Sequence, residues 1–174
     1  MVICLHMSNE PPFTLADTES AREAAQRLFV AVSQSLAAIL PRTADIRHVG
    51  ATAVHGCLTK GDLDIVVRIP AQDFSDADAA LASRYARNGG SIRTETFSAF
   101  EDASSEPHLG IQLAVIDGPF DFFHQFTEEL RRSPPLVEEY NALKRSYDGA
   151  DMALYRAAKD AFVEKVLAAC SRRR

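Results

Sequence analysis

The sequence predicts an α+β fold, a small mixed β-sheet flanked by helices with a helical C-terminal subdomain, and three observations carry that prediction. Residues 63–69 form a nearly continuous apolar run between Gly61 and Pro70, the mark of an inner strand covered on both faces. Residues 46–49, 91–99 and 108–116 have the length and composition of further strands, with turn residues between them. After Gly118-Pro119, apolar residues recur at helical spacing to the end of the chain.

Each element follows from local chemistry. Residues 1–13 contain Pro11-Pro12 and little periodicity, which reads as a loose N-terminus. Asp17 or Thr18 offers a helix cap, Ala25, Leu28, Val32, Leu36 and Ile39 share one helical face, and Pro41 ends that helix near Leu40. The strand 46–49 stops at Gly50, and the strand 63–69 follows it. Residues 75–85 are alanine-rich and helical as far as Asn88-Gly89-Gly90, and residues 101–107 turn between the last two strands. Three amphipathic helices, 120–132, 136–147 and 152–170, are divided by Ser133-Pro134-Pro135 and Asp148-Gly149. A single domain over 14–171 is expected, with its sheet core at about 41–118 and its helical part at about 119–171.

Of 174 residues, 47% are hydrophobic and 25% charged, the balance of a soluble globular chain rather than a disordered one. No apolar run approaches the roughly 20 residues of a membrane-spanning helix. Met1-Val2-Ile3-Cys4-Leu5 is too short for a signal peptide, so a cytoplasmic protein without a membrane partner is expected. The net charge of −5 argues against a protein that coats nucleic acid by charge, while leaving room for a locally basic site for a small anion. Cys4, Cys57 and Cys170 form no CxxC pair, which points to reduced thiols rather than a zinc ribbon or redox motif.

Specific chemistry concentrates in residues 48–67. Asp62 and Asp64 stand two apart at the mouth of the apolar strand, so both project to one face with α-carbons roughly 6–7 Å apart. Two carboxylates so placed can share a hard cation, and Mg²⁺ is usually held by one or two carboxylates plus substrate phosphates. A solvated Asp-x-Asp beside a glycine turn has the same spelling, and the flanking Ile65-Val66-Val67 favours the site. Gly50-Ala51-Thr52 follows a strand and precedes Asp62 by a fixed spacer; small residues there let backbone amides approach a phosphate, or make a plain tight turn. A Walker loop is excluded, since no Lys-[Ser/Thr] follows Gly56.

His48-Val49-Gly50-Ala51-Thr52-Ala53-Val54-His55-Gly56, with Lys60 and Asp62-Leu63-Asp64-Ile65 after it, resembles the signature of the GrpB family. The resemblance runs from about residue 18 to 168 and takes in Phe122-Phe123-His124-Gln125-Phe126, Tyr140, Lys144, Tyr155 and Lys159. That family resembles the nucleotidyltransferase superfamily typified by DNA polymerase beta, which implies a nucleotidyltransferase-like fold and Mg²⁺ (or Mn²⁺) on Asp62 and Asp64 as catalytic and metal residues. It further implies a nucleoside triphosphate or related nucleotide cradled by Gly50, Ala51 and Thr52, with Lys60 neutralising the departing pyrophosphate. Gln112, Lys144 and Lys159 complete the expected nucleotide contacts. Ala51 replaces the family's serine and His55 its proline, whereas Asp62 restores a two-carboxylate pattern. Active superfamily members add a third carboxylate from a later strand; here Leu109-Gly110-Ile111-Gln112-Leu113 carries Gln112 there and no acid.

Other features have ordinary readings. Eight acids and no Lys or Arg between Thr94 and Leu130 make a solvated face or a negative rim. Tyr140 with Lys144, and Tyr155 with Lys159, share helix faces as packing pairs do. His48, His55 and Cys57 lack a fourth zinc ligand nearby, and His108 and His124 stand alone in sequence. Three functions follow. The first is metal-dependent transfer of a nucleoside monophosphate to a small-molecule or protein acceptor. The second is a nucleotide-binding or accessory module without chemistry, linked through the resemblance to coenzyme A metabolism. The third is a toxin–antitoxin nucleotidyltransferase.

Overall fold

The computed structural model describes residues 11–172. Its strands are β1 (Asp45–Val49), β2 (Leu63–Ile69), β3 (Ala86–Arg87), β4 (Phe97–Asp102) and β5 (Leu109–Val115), in the sheet order β1-β2-β5-β4-β3. β2 and β5 run parallel and the other neighbours antiparallel, so the sheet is mixed as the sequence implies. Five α-helices accompany it: α1 (Thr18–Ile39), α2 (Phe74–Ala82), α3 (Phe123–Arg132), α4 (Pro134–Ser146) and α5 (Met152–Ser171).

The period-two geometry of β2 and β5 divides the molecule into layers. Leu63, Ile65, Val67 and Ile69 of β2, with Leu109, Ile111, Leu113 and Val115 of β5, form one buried core with Leu36 of α1 and Leu81 of α2. The intervening residues, Asp64 and Arg68 of β2 and Gly110 and Gln112 of β5, therefore face the opposite side. A second core there joins Phe126 and Leu130 of α3, Val137 and Tyr140 of α4, and Phe162 and Val166 of α5 to Val54 and Cys57 of the β1–β2 connection.

Helix ends obey local rules. α1 stops where Pro41 forces Leu40 into an extended conformation, ψ 155°. Asp151 caps α5 by accepting from the Ala153 and Leu154 N–H groups at 2.8 and 3.3 Å.

Three expectations are corrected. The strand expected at 91–99 lies at 97–102, because residues 88–96 form the excursion of a hairpin whose short arm, β3, pairs with Phe100 and Glu101. Glu101 thus belongs to a strand, not to the following turn. α3 begins at Phe123 rather than 120: Asp121 is drawn into a two-pronged ion pair with Arg68, at 2.6 and 2.7 Å. Phe13, at the end of the N-terminal segment 1–13, is not loose. Phe13 is buried, stacks on Tyr155 with centroids 3.8 Å apart, and its N–H donates to the Ala150 carbonyl at 2.9 Å. Residues 1–10 of the expected loose N-terminus, Cys4 among them, lie outside the described residues.

Candidate functional site

The β1 strand delivers the chain to Gly50, whose φ of 77° and ψ of −168° suit glycine and strain other residues. A second constraint acts at the same position: a Cβ on Gly50 would lie 2.7 Å from Asp64 Oδ2. On the far side, Gly110 of β5 is the register partner of Asp64, and a Cβ there would lie 3.1 Å from Asp64 Oδ1. The Asp64 carboxylate sits in a slot between two glycines. Burial raises its pKa above the ordinary carboxylate range, Asp62 raises it further, and Lys159 and Lys60 oppose the rise.

Asp62 lies one residue before β2 and pairs with Lys60. His108 stands beside it, because the Leu63 N–H donates to the His108 carbonyl at 2.9 Å where β2 and β5 begin. His108 Nδ1 is 3.9 Å from Asp62 Oδ2, and its Nε2 is 3.3 Å from Glu101 Oε2. Glu101, His108 and Asp62 thus form a row that crosses three strand ends. Neither His108 nor Glu101 is evident in the sequence as a neighbour of the carboxylate pair, since the row depends on the pairing of β4 and β2 with β5.

A cavity of about 720 Å³ opens over Asp62 and Asp64; His108 and Glu101 do not line it. Gly50, Ala51, Lys60, Asp62, Asp64 and Gln112 line its sheet side, and Lys144 and Lys159 its helical side. Asp62 and Asp64 therefore share a face, as their spacing implies. Phe97, Phe120, Phe122, Phe123 and Phe126 make an aromatic wall, in which Phe122 and Phe123 stack at 4.5 Å. The Gln112 Oε1 atom is buried and has no hydrogen-bond partner among the described residues. No third carboxylate joins the pair: among the described residues, no group of three His, Cys, Asp or Glu side chains is arranged to hold a metal.

Two of the expected contacts differ in kind from the rest. Thr52 is absent from this cavity; its hydroxyl donates to the Asp62 carbonyl at 3.0 Å and lies 3.0 Å from His48 Nε2. It braces the loop from behind. Lys144 lines the cavity yet is 1% exposed, with Nζ 3.2 Å from Cys57 Sγ, against the Leu58 carbonyl, and 3.9 Å above the Tyr140 ring. Burial pulls its pKa down to about 8. Asn141, one turn earlier, bonds both the Leu58 N–H and the Gly56 carbonyl at 2.8 Å, so α4 clamps the loop that leads to Lys60.

The model of the GrpB protein family matches residues 18–169. The chain belongs to the GrpB family. A UPF0157 protein of Vibrio cholerae is 32% identical over 166 residues, covering 95% of this chain and 86% of the relative. The crystal structure of the conserved protein GrpB from Enterococcus faecalis superposes with a TM-score of 0.63 at 19% identity, over 82% of this chain and 90% of that one, so the two share a fold. A Cid1 poly(U) polymerase structure with bound MgATP reaches a TM-score of 0.49 at 12% identity, over 75% of this chain and 41% of that one. This last likeness is too slight to carry an argument about the GrpB chain.

Among the described residues, no helix is long and apolar enough to cross a membrane. Among the described residues, Cys57 and Cys170 are buried and form no disulfide.

Proposed function

We infer that the cavity is a nucleotide site of the nucleotidyltransferase kind, binding a nucleoside triphosphate or related nucleotide together with one Mg²⁺ or Mn²⁺ on Asp62 and Asp64. The observation that carries this reading is the Asp64 carboxylate, half-buried in its two-glycine slot and facing the same cavity as Asp62, Lys60 and Lys159. A desolvated carboxylate with a raised pKa is short of positive charge, and the two-acid donor set suits a cation whose remaining ligands are phosphate oxygens and water. Such a cation, when bound, polarises a phosphoryl group.

The chain's own residues then divide the work. Asp62 and Asp64 supply the negative charge, and Lys60 and Lys159 balance the phosphates. Gly50, whose own N–H is held by Thr127 Oγ1, leaves room for a ligand to approach the Ala51 backbone, and the unpartnered Gln112 Oε1 offers an acceptor for a ligand hydroxyl or amine. The phenylalanine wall excludes water and accepts a planar base. With Gln112 in the position of a third acid, binding is favoured over turnover, because Gln moves no proton at neutral pH. Thiols outside any disulfide among the described residues accord with a cytoplasmic setting.

Transfer of a nucleoside monophosphate to an acceptor is the second reading. The imidazole of His108, set beside Asp62, favours it.

Calorimetry decides between a working and a structural carboxylate pair. Wild type should bind triphosphates in a Mg²⁺-dependent manner, and Asp64→Asn should weaken that binding tenfold or more while keeping the side chain's shape. Equal affinities for the two proteins would overturn the nucleotide reading. Pyrophosphate release by wild type that His108→Ala loses would promote transfer over binding alone.

A further inference from the structure

A second cavity, of about 620 Å³, lies behind the Gly50 loop, between α1, the exposed edge strand β1 and α3. It is chemically unlike the first. Arg22 and Arg27 of α1, Arg47 and His48 of β1, and His124 and Arg131 of α3 converge on it.

The neighbouring acids do not neutralise these guanidinium groups evenly. Arg27 and Glu23 pair at 3.7 Å on the exposed rim, and Arg47 is held by Asp45 at 2.8 Å and Glu128 at 3.2 Å. Arg22 meets Glu19 at 3.1 Å, but its Nε is buried and has no acceptor among the described residues. Arg131 donates from Nε and Nη2 to the Ala53 carbonyl at 3.1 and 3.0 Å, and no carboxylate lies within ion-pair distance of it among the described residues. Among the described residues, a buried Arg22 N–H without an acceptor and an exposed Arg131 guanidinium with no carboxylate in reach line one cavity, which suits an anion in both hydrogen bonding and charge.

His48 reports the sign of the potential between them. Burial, then Arg131 and Arg22, push its pKa down to about 4, so the ring is neutral at pH 7. The Thr52 hydroxyl spends its proton on the Asp62 carbonyl and must accept from His48, so the ring's proton is on Nε2. Nδ1 then carries no proton and makes no hydrogen bond with Gln26 Oε1, 3.4 Å away, since both atoms are acceptors. The ring thus braces Thr52 and offers an incoming anion no charge of its own. Arg22 and Arg131 would carry that contact.

We propose that this pocket is a second binding site, for a small phosphate-bearing anion held by Arg22 and Arg131. It is independent of the nucleotide reading, since it shares none of the carboxylates or lysines of the first cavity. It is joined to that cavity through the wall: Val49 and Thr127 line both, and the Gly50 N–H donates to Thr127 Oγ1 at 3.1 Å. An anion seated behind the loop would therefore bear on the glycine that shapes the Asp64 slot.

Inorganic phosphate is the probe, titrated into the full chain in chelator-treated, metal-free, low-salt buffer. Binding is followed by calorimetry and by the ring-proton NMR signals of His48, assigned with His48→Gln. Saturable binding that shifts the His48 signals with the calorimetric Kd is expected. Arg131→Gln and Arg22→Gln should each weaken it about tenfold or more, the scale of one lost charge-assisted contact, whereas Lys60→Gln should leave it unchanged. Phosphate binding that survives both arginine substitutions, or that Lys60→Gln abolishes, would place the anion elsewhere and overturn the proposal. So would the absence of any saturable binding by wild type. Retained far-ultraviolet circular dichroism identifies folded variants, and Arg131 is exposed, so its replacement leaves the core intact.

Discussion

Gly50 shows how much one position can be asked to do. Its positive φ excludes an unstrained side chain, and its missing Cβ leaves room for an Asp64 oxygen that would otherwise be 2.7 Å away. Gly50→Ala is therefore expected to cost about 1–3 kcal/mol of stability, read from urea unfolding, through backbone strain and displacement of the carboxylate. The same variant should lose Mg²⁺-dependent nucleotide binding more completely than its stability loss explains. Unchanged unfolding and unchanged affinity together would show that the slot is not selective for glycine. Lys144 makes the complementary point. In sequence its spacing from Tyr140 reads as packing, and only the family resemblance makes it a ligand; the structure buries it against Tyr140 and Cys57, where it anchors α4 to the loop as much as it lines the cavity.

At the scale of elements, the short edge strand β3 is held by charge rather than by apolar burial, since both its residues are exposed. Asp78 of α2 accepts from Arg87 at 3.0 and 2.7 Å and from Arg93 at 2.9 Å, tying the hairpin to the helix. The Arg87 fork, foremost, holds its carboxyl at about 2, below the ordinary 3.8. For a carboxyl with a depressed folded pKa, the stabilisation is complete above the unfolded value and is lost as pH falls through the folded one. Stability should thus decline between about pH 4 and pH 2 by a component on the order of 1–2 kcal/mol, reduced by the solvent exposure of the two arginines. Asp78→Asn should remove that component and be less stable than wild type at pH 7. Parallel acid profiles of the two proteins in thermal unfolding would refute the assignment.

At the scale of the whole molecule, the cavity lies between the Asp64 face of the sheet and the helices α3, α4 and α5, with one core on the sheet's other face and a second among those helices. A third, small cluster of Phe13, Met152 and Tyr155 ties the entering chain to the start of α5. Phe13→Ala is expected to cost about 3–5 kcal/mol, roughly 6–20 °C in Tm for a chain of this size. Because Tyr155 and Lys159 sit on the same helix as the lost contact, nucleotide affinity should fall with it, whereas a distal core substitution of equal cost should leave affinity alone. Calorimetric melting with and without nucleotide checks both. If Phe13→Ala is as stable as wild type, the entering segment is not part of the fold's support.

Much of this was legible in the chain itself. Apolar period and punctuation placed α1, β2, β5 and the C-terminal helices within a few residues, because these signals are local: a proline, a glycine, an alternation. Asp62, Asp64 and Gly50 were legible for the same reason, since a strand turns residues two apart to one side whatever it packs against. The rest depended on contacts between segments far apart in sequence. The slot that makes Asp64 distinctive needs Gly110 opposite it, and the row from Glu101 through His108 to Asp62 needs three strands in one register. Ile92, Thr94 and Thr96 have the composition of a strand, yet they lie in the hairpin's excursion, outside β4. The anion pocket joins α1, β1 and α3, and no spacing along the chain encodes that meeting. Residue order by itself determined which side chains share a face. Tertiary pairing alone decided which faces confront one another, because long-range register is settled by the packing of whole layers rather than by neighbours along the chain.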